Sequence, residues 1–322
     1  MEPLLKVENL KTYFVVRRGI VKAVDGASFS LNHGESVGIV GESGCGKSMT
    51  ALSILRLVPQ PAGKIVGGRI MFEGEDLLTR SDWEMRKIRG SKIAMVLQDP
   101  MTSLNPVYTI GMQIFESIRL HQKLRGKGMV QKAIEALSLL RIPSAESRLT
   151  DFPHQMSGGM RQRVSGAIAL SCTPSLLIAD EPTTSLDVTI QAQYLKVLRQ
   201  VQEEASIGLI FITHDFGIVA KMCDYVVVMY AGRIVEKASA VDLFNQPKHP
   251  YTQGLLNCLA SAKVRWEKLP SIDGQPPDLS NLPGGCYFAA RCSQAMKICR
   301  EQYPSDTMVG DNHFCSCWLV AK

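Results

Sequence analysis

The sequence contains no long hydrophobic run. Its apolar stretches, such as Leu209–Ile212 and Val226–Met229, span four residues, whereas a helix that crosses a membrane needs roughly 20. The N-terminus also lacks a basic segment followed by an apolar one, so we expect no secretory leader. These absences predict a cytoplasmic protein that associates with a membrane only through a partner.

Charge of one sign is also scarce. The net charge is +6 over 322 residues, and lysine and arginine are spread along the chain. So small and dispersed a surplus does not indicate nucleic-acid binding. The composition instead fits a globular protein with an ordinary solvated surface.

Patterns of apolar residues predict an α/β fold. Strands are expected at residues 4–10, 23–31, 36–40, 175–180, 209–213 and 225–230, and helices at 49–57 and 190–205. The polar stretch 75–90 is expected to be a surface insertion. Because strands alternate with helices, we expect a largely parallel sheet covered on both faces.

Two segments depart from this alternation. From about residue 107 the apolar residues follow helical spacing, which predicts a helical subdomain inserted at about 99–170. Its apolar faces are formed by Ile110, Ile114, Phe115, Ile118, Ile134, Leu137 and Leu140. Frequent prolines after Asn245 predict a boundary, which divides the chain into residues 1–245 and a small irregular extension, 246–322.

The glycine-rich segment Gly41–Ser48 matches the phosphate-binding pattern G-x-x-x-x-G-K-[ST]. It follows a predicted strand and opens a predicted helix, so its N–H groups can face a phosphate; the alternative is an unrelated glycine turn. We expect Lys47 to reach the terminal phosphates and the Ser48 hydroxyl to ligate Mg²⁺. Further nucleotide contacts are expected from Gly41, Ser43, Gly44, Cys45, Gly46 and Met49.

Two acidic residues end the predicted strand at 175–180. Asp180 is expected to hold Mg²⁺ indirectly, and Glu181 to orient and deprotonate an attacking water. Such a pair alone is most often a simple strand end. Together with the phosphate-binding pattern, it favours nucleotide hydrolysis.

Ser157, Gly158 and Gly159 precede a predicted helix. They suggest a second anion-binding helix start or else a simple helix cap. At this point the sequence resembles the ATP-binding cassette (ABC) superfamily, whose signature is Ser-Gly-Gly before a helix. In the family's order, Gln98 resembles the Q-loop glutamine, and Asp187, in the segment Ser185–Asp187, resembles the D-loop. His214 resembles the switch histidine.

The resemblance implies a P-loop ABC nucleotide-binding domain with a RecA-like core, an antiparallel β subdomain and an inserted helical subdomain. It implies ATP hydrolysis with Mg²⁺, with Glu181, His214 and Gln98 as catalytic residues and Gln98 also as a Mg²⁺ ligand. The aromatic residue that stacks on adenine is placed at Phe14, with Tyr13 as the alternative. In this family each ATP lies between the P-loop of one cassette and the signature helix of another.

A narrower resemblance is to the oligopeptide/dipeptide/nickel importer branch. It is carried by residues 98–106, 153–164, 249–252 and 285–292. Two departures are Cys45, where Ser is usual, and Met156, where Leu or Phe is usual, and neither removes a side-chain contact to phosphate. Beside Lys47 and at a helix start, Cys45 is expected to have a lowered pKa and a reactive thiolate. The alternative is a buried, inert thiol.

This resemblance implies a peripheral protein at the cytoplasmic face of the membrane. Its implied partners are a second, paralogous cassette, two permeases and an external peptide-binding protein, with no nucleic acid. The alternatives are an importer of nickel or another solute, a soluble cassette that acts on nucleic acid or the ribosome, and a non-catalytic regulator. The soluble class usually carries two cassettes or long insertions, and a regulator would lack Glu181 or His214.

The cysteines are unevenly placed, with five of the nine near the C-terminus. In a cytosolic protein such a cluster indicates a metal or redox site more than disulfides. Cys286, Cys292, Cys299 and Cys317 have the spacing C-x5-C-x6-C-x17-C. Four thiolates suit either a [4Fe–4S] cluster or Zn²⁺, but structural zinc usually uses tight pairs, and these four contain none.

Cys315 competes with Cys317 for the fourth ligand position. If that segment is extended, their side chains point to opposite faces, so only one can easily serve. In the peptide-importer family a cysteine follows a histidine near the end, which corresponds to Cys317 counted from His313. We therefore expect a [4Fe–4S] cluster on Cys286, Cys292, Cys299 and Cys317, with zinc or unligated thiols as the alternative.

Overall fold

The computed structural model describes residues 2–17, 19–99, 103–184, 186–260 and 271–321. The chain divides into two compact units. Unit 1 consists of Met1–Leu31, Ser36–Leu78 and Ile212–Lys322, and unit 2 of Asn32–Glu35 and Thr79–Phe211. The predicted boundary at 245/246 falls inside unit 1 and the predicted helical insertion inside unit 2, and both divisions stay predictions.

The strands of the described residues are β1 (Leu5–Val16), β2 (Gly19–Leu31), β3 (Ser36–Val40), β4 (Gly63–Phe72), β5 (Glu75–Asp76), β6 (Ile93–Val96), β7 (Leu176–Asp180), β8 (Gly208–Ile212), β9 (Tyr225–Tyr230), β10 (Arg233–Ser239), β11 (Thr307–Gly310) and β12 (His313–Cys315). The helices are α1 (Lys47–Ile54), α2 (Asp82–Ile88), α3 (Ile110–Gln122), α4 (Gly126–Leu139), α5 (Ala145–Arg148), α6 (Gly158–Leu170), α7 (Val188–Ala205), α8 (Phe216–Met222), α9 (Ala240–Asn245), α10 (Pro250–Ala260) and α11 (Lys297–Glu301). Within the described ranges, none of these helices is both long and apolar enough to cross a membrane.

Unit 1 contains an antiparallel sheet in the order β2-β1-β4-β5. Leu5 of β1 lies opposite Leu31 on one side and Phe72 on the other, and all three side chains are buried. Strand β1 continues to Val16, beyond the predicted end at Leu10, because its pairing with β2 extends along an exposed hairpin. This sheet is the antiparallel β subdomain that the family resemblance implied.

A second group of strands in unit 1 has the order β11-β12-β10-β9-β3. β3 and β9 are parallel, with Ile39 opposite Val227, and every residue of β3 is buried. Strand β12 is antiparallel to β10, with Cys315 opposite Glu236. The C-terminal extension is therefore less irregular than predicted, because its hairpin extends this group of strands.

Unit 2 contains strands in the order β8-β7-β6, of which β6 and β7 are parallel. The apolar spacing correctly predicted helices α3 and α4. Ile110, Ile114 and Ile118 are fully buried in α3, whereas Phe115 is half-buried. In α4, Leu137 is buried, so the two helices present apolar faces as periodicity predicts.

Residues 75–90 are not a simple surface insertion. They include α2, whose first turn is closed by a capping box between Ser81 and Glu84. The Glu84 carboxylate accepts the Ser81 N–H at 2.8 Å, and Met85 and Ile88 are buried. The S-x-x-E spacing was the sequence signal for this helix.

Candidate functional site

The glycine-rich loop joins β3 to α1 in unit 1. At Gly46, whose φ is +107°, a Cβ would lie 2.3 Å from the Ala23 carbonyl oxygen; at Gly41 it would lie 2.2 Å from that of Met229. Only glycine fits such approaches. A Cβ at Gly44 would meet no described atom within 4 Å. The loop is thus pressed against backbone at Gly41 and Gly46 and open at Gly44.

Lys47 is buried at the start of α1. Its ammonium donates hydrogen bonds to the carbonyl oxygens of Gly41 at 2.8 Å and Glu42 at 3.0 Å. The first N–H groups of a helix have no acceptor inside it, and together with a lysine they attract phosphate. These residues fit the triphosphate of ATP, and the Ser48 hydroxyl is an oxygen ligand of the kind that Mg²⁺ accepts. Helix α1 begins two residues before its predicted start at Met49.

Cys45 is not the reactive thiolate that its position predicted. Its side chain is 5% exposed. Burial raises the pKa of the thiol, and the nearby Lys47 ammonium lowers it by less, so the net shift is upward. The structure therefore favours the alternative of a buried, inert thiol.

His214 lies beside this loop within unit 1. The Thr213 N–H donates to the Ile39 carbonyl at 3.3 Å, which places the residue before His214 level with the end of β3. His214 is exposed, and Asp215 after it caps α8 by accepting the Gly217 N–H at 2.7 Å. The structure thus brings the predicted switch histidine to the end of β3 where the glycine-rich loop begins.

Gln98 and Glu181 meet in unit 2. Because Val96 of β6 lies opposite Ala179 of β7, the residues two positions further along each strand are also level. The Gln98 Nε2 amide donates to Glu181 Oε2 at 3.0 Å. Asp180, the last residue of β7, is 5% exposed, so Asp180 and Glu181 have different surroundings.

A further residue orients the Glu181 carboxylate. The Thr184 hydroxyl donates to Glu181 Oε2 at 3.0 Å, and Glu181 itself has a φ of +44°, which turns the chain sharply after β7. Thr184 was not singled out from the sequence. Its position three residues after a strand-ending carboxylate, where a hydroxyl can close the turn, was the available signal.

The signature segment begins α6 in unit 2. Ser157 caps the helix by accepting the Met160 N–H at 3.3 Å. A Cβ on Gly159 would lie 2.9 Å from Ile190 Cγ2, so this glycine permits close packing against α7. Asp187 caps α7 by accepting the Ile190 N–H at 3.0 Å. The predicted signature and D-loop therefore adjoin at two helix N-termini.

Arg161, which was not singled out from the sequence, supports the signature segment. Arg161 donates from Nε to the carbonyl oxygens of Pro153 at 2.8 Å and Met156 at 3.0 Å. These contacts fix the turn that enters α6, and spacing alone gave no signal for them. Ser185 of the D-loop and residues 100–102 of the Q-loop segment lie outside the described residues.

The two candidates for adenine stacking lie on β1. The Tyr13 hydroxyl donates to Asp25 at 2.6 Å. Phe14 is half-buried next to Gly63, where a Cβ would lie 2.7 Å from the Phe14 ring. The assignment of Phe14, with Tyr13 as the alternative, stays a prediction.

Four cysteines of the extension line one small pocket in unit 1. They are Cys286, Cys292, Cys299 and Cys317. Backbone contacts bring two of them together, because the Cys286 N–H donates to the Cys299 carbonyl at 2.7 Å. A Cβ on Gly285 would lie 2.3 Å from the same oxygen, so glycine is required there. Across the part of the chain that the structure describes, no three His, Cys, Asp or Glu side chains are arranged to hold a single metal ion.

Three thiols of this pocket, those of Cys286, Cys292 and Cys317, have a raised pKa. Burial, followed by the neighbouring cysteines, raises the pKa of Cys286 to about 11, and burial raises the pKa of Cys292 and Cys317. Cys315 is fully buried, and burial and then the Glu236 carboxylate raise the pKa of its thiol. Cys317, and not Cys315, lines the pocket among its described residues.

His249 also lines the cysteine pocket. Burial lowers the pKa of its imidazole to about 4, so the ring is neutral at neutral pH. Its Nδ1 accepts the Tyr251 N–H at 3.0 Å, which leaves the proton on Nε2. That buried Nε2 has no hydrogen-bond partner among the described residues.

The chain matches two known families. Residues 24–184 match the ABC transporter family, and residues 235–299 match the C-terminal region of oligopeptide/dipeptide transporters. The chain is 49% identical to the dipeptide transport ATP-binding protein DppD of Bacillus subtilis, over 99% of this chain and 95% of that protein. It is 48% identical to the oligopeptide transport ATP-binding protein OppD of the same species, over 98% of this chain and 89% of that protein.

A solved structure shares the fold. The dimeric ATP-binding cassette MJ0796, in a post-hydrolysis state bound to ADP and Pi, aligns with a TM-score of 0.67 and 25% identity. The alignment covers 73% of this chain and 98% of that one. The predicted P-loop ABC nucleotide-binding fold is therefore confirmed.

Proposed function

The chain belongs to the ABC transporter family as an ATP-hydrolysing subunit, and from this we propose that it drives the import of dipeptides or oligopeptides. The observation that carries the proposal is the match of residues 235–299 to the C-terminal region of oligopeptide/dipeptide transporters. ABC importer ATPases work with membrane permeases and a substrate-binding protein. In this proposal those subunits choose the cargo and this chain supplies the free energy.

Nucleotide binding is assigned to the glycine-rich loop. In the proposal Lys47 binds the terminal phosphates and Ser48 ligates Mg²⁺, while Phe14 stacks on the adenine. When bound, Mg²⁺ neutralises phosphate charge. Gln98 and Asp180 are assigned to the same ion. The backbone of the loop supplies the other contacts, from Gly41, Ser43, Gly44, Cys45, Gly46 and Met49.

Hydrolysis is assigned to Glu181 as the general base. The two hydrogen bonds from Gln98 and Thr184 to its Oε2 support this role, because they orient the carboxylate. A base must be held within hydrogen-bond reach of the proton that it removes. Gln98 positions the base, and His214, exposed beside the glycine-rich loop, completes the catalytic set in the proposal.

We assign the signature segment to the nucleotide of a second subunit. Ser157, Gly158 and Gly159 form the N-terminus of α6, and a Cβ on Gly158 would meet no described atom within 4 Å. A helix start with such an open side can accept an anion. The related cassette MJ0796 is dimeric with ADP and Pi. We propose that this chain pairs with a paralogous cassette.

A surface of unit 2 is suited to a permease. Val107, Tyr108 and Met112 are 71%, 51% and 57% exposed, and a groove of about 430 Å³ runs along α3 to Met129 of α4. Exposed apolar surface rimmed by polar groups marks interaction sites. Docking there would hold the chain at the cytoplasmic face of the membrane.

The cysteine pocket is assigned to a [4Fe–4S] cluster on Cys286, Cys292, Cys299 and Cys317. Four thiolates suit either a [4Fe–4S] cluster or Zn²⁺. The proposal favours the cluster because structural zinc usually uses tight pairs of cysteines, which these four lack. The His249 Nε2, which has no hydrogen-bond partner in the described part of the chain, supports the assignment as a donor toward sulfur.

Reconstitution of the complete importer tests the peptide function. The chain would be purified with its permeases and a second cassette and placed in vesicles with the substrate-binding protein. The vesicles would be supplied with ATP and, in separate assays, with a mixture of peptides or with Ni²⁺. ATP-dependent peptide uptake is expected, together with ATPase activity well above that of the isolated chain. Glu181→Gln in the same vesicles is the control for coupling. Uptake of Ni²⁺ but no peptide would reject the peptide assignment and leave the ATPase assignment intact.

A further inference from the structure

Glu42, the first variable residue of the glycine-rich loop, is held by two side chains from the C-terminal third of the chain. The Glu42 N–H donates to the Tyr251 hydroxyl at 2.9 Å. Arg291 binds the Glu42 carboxylate with two parallel bonds, Nη1 to Oε2 at 2.7 Å and Nη2 to Oε1 at 2.8 Å. We call Glu42, Tyr251 and Arg291 the Glu42 clamp.

Arg291 has every donor engaged. Besides Glu42, its guanidinium donates to the carbonyl oxygens of Asp273 at 3.0 Å and Ile272 at 3.3 Å, and to the Tyr230 hydroxyl at 3.3 Å. Five N–H donors therefore make five hydrogen bonds. The Arg291 side chain is only 5% exposed and that of Glu42 26%. A bidentate charge pair so shielded from water is stronger and more rigid than a surface ion pair.

Tyr251 is held just as firmly. Its ring is fully buried and packs against Tyr230 and Phe288, with ring centroids 4.7 Å and 5.3 Å apart. Its N–H donates to His249 Nδ1 at 3.0 Å. The segment 249–252 was singled out from the sequence but has no role in the hydrolysis site. It presents the Tyr251 hydroxyl to the glycine-rich loop.

Glu42 also holds the Lys47 ammonium, which is assigned to phosphate binding. The Glu42 carbonyl accepts the Lys47 ammonium at 3.0 Å and the Cys45 N–H at 3.3 Å. A shift of the Glu42 peptide therefore moves the atoms that fix the Lys47 ammonium.

We propose that Tyr251 and Arg291 are positioning residues for ATP binding, through which the C-terminal extension sets the nucleotide affinity of the glycine-rich loop. Neither residue needs to touch the nucleotide. The clamp restricts the loop before ATP arrives, and a preorganised site loses less conformational entropy on binding. Release of the clamp leaves the loop's own residues unchanged but broadens the positions of Glu42 and Lys47.

Equilibrium binding of ATP with Mg²⁺ to the full chain tests this proposal. Arg291→Gln and Glu42→Gln are each expected to raise the Kd about tenfold, which corresponds to about 1.4 kcal/mol. The double variant should bind no more weakly than either single variant, because both remove the same pair. Arg291→Lys should recover part of the affinity, since one ammonium replaces only part of a bidentate contact.

The control is Arg148→Gln, which breaks a 2.8 Å ion pair with Asp151 in unit 2 and should leave the Kd unchanged. Thermal unfolding without nucleotide is measured for every variant. A clamp that serves only as a structural brace would lower the melting temperature and leave the Kd of the folded protein at the wild-type value. That result, in Arg291→Gln or Glu42→Gln, overturns the proposal. Glu42→Gln keeps the backbone bond to Tyr251, so it decides the matter if Arg291→Gln does not fold.

Discussion

The side-chain amide of Gln98 donates a 3.0 Å hydrogen bond to the carboxylate of Glu181, 83 residues further along the chain. The parallel register of β6 and β7 creates this contact, because each residue lies two positions beyond a paired residue of its strand. The contact links the predicted Q-loop to the proposed general base. We expect replacement of Glu181 to slow ATP hydrolysis without weakening ATP binding.

Glu181→Gln should bind ATP with near wild-type affinity but hydrolyse it at least 10²-fold more slowly. The reason is loss of the general base, whose contribution is typically about 10²–10⁴-fold, while the amide keeps the shape of the side chain. ATPase rates of the assembled transporter, alongside ATP affinities of the chain, check both parts. Glu203→Gln is the matched control, because Glu203 is an exposed residue of α7 paired only with Arg199 among the contacts described. Hydrolysis at close to the wild-type rate would remove Glu181 from its proposed role.

Cys317→Ser should lose the proposed [4Fe–4S] cluster, and Cys315→Ser should retain it. Cys317 lines the cysteine pocket with three other thiols, whereas Cys315 lies opposite Glu236 in the β10–β12 pair. Iron, sulfide and zinc would be measured after anaerobic purification and reconstitution. About four irons with matching sulfide are expected in the wild type and in Cys315→Ser, as a cubane requires. Zinc alone, or equal iron loss in both variants, contradicts the assignment.

Cys45 should react slowly with thiol-alkylating reagents in the folded chain. Its thiol is 5% exposed, and burial raises its pKa, so little nucleophilic thiolate is accessible. Mass spectrometry of timed alkylation would compare Cys45 with Cys258, whose side chain is half-buried. Cys258 should be modified first. If Cys45 is modified faster than Cys258 and ATP slows that modification, the reactive thiolate predicted from the sequence would be supported instead.

Asp25→Asn should make unfolding less sensitive to acid. Burial alone would raise the pKa of Asp25, but hydrogen bonds from Tyr13 and Arg233 outweigh it and hold the pKa below its ordinary value. The unfolded carboxyl then takes up its proton at a higher pH than the folded one. Stability from this group is present above about pH 4 and is lost as pH falls through the lower, folded pKa.

Urea unfolding between pH 7 and pH 3 measures this effect. At pH 7 the Asp25→Asn variant should be about 1–3 kcal/mol less stable, the usual cost of weakening hydrogen bonds to a buried charge. Its stability should then fall less steeply with acid than that of the wild type. Asp311→Asn, at an exposed position, should match the wild type. Parallel pH curves for Asp25→Asn and the wild type would contradict the argument.

Much of the fold was predictable because each element carries its own local pattern. The apolar runs of β3 and β7 and the helical spacing of Ile110, Ile114 and Ile118 lie within short windows of sequence. Helix α2 and the β11–β12 hairpin were missed for different reasons. The capping box of α2 was overlooked within a polar stretch. The hairpin joins the sheet through the pairing of β12 with β10, where Cys315 lies opposite Glu236, and local sequence does not encode that pairing.

The residues of the candidate site also fall into those that the sequence predicted and those that it did not. The glycine-rich loop is a contiguous motif, so its conformation follows from its glycines, and Gln98 and His214 could be found by resemblance. The contact of Thr184 with Glu181 lies within one turn, so its signal was present in the sequence. The contact of Arg291 with Glu42 joins residues 249 positions apart and depends on tertiary packing. The Cys45 prediction was wrong because position beside a lysine was visible in the sequence but the degree of burial was not.

The discontinuous composition of unit 1 has a consequence for synthesis. Strand β3, which leads into the phosphate-binding loop, pairs with β9, and the whole segment Thr79–Phe211 is translated between them. At about 5–20 residues per second, that interval lasts on the order of ten seconds. During it, the backbone edge of β3 that pairs with β9 has no partner strand. The phosphate-binding loop, although encoded early, therefore follows an incompletely paired strand until residues 225–230 have been synthesised.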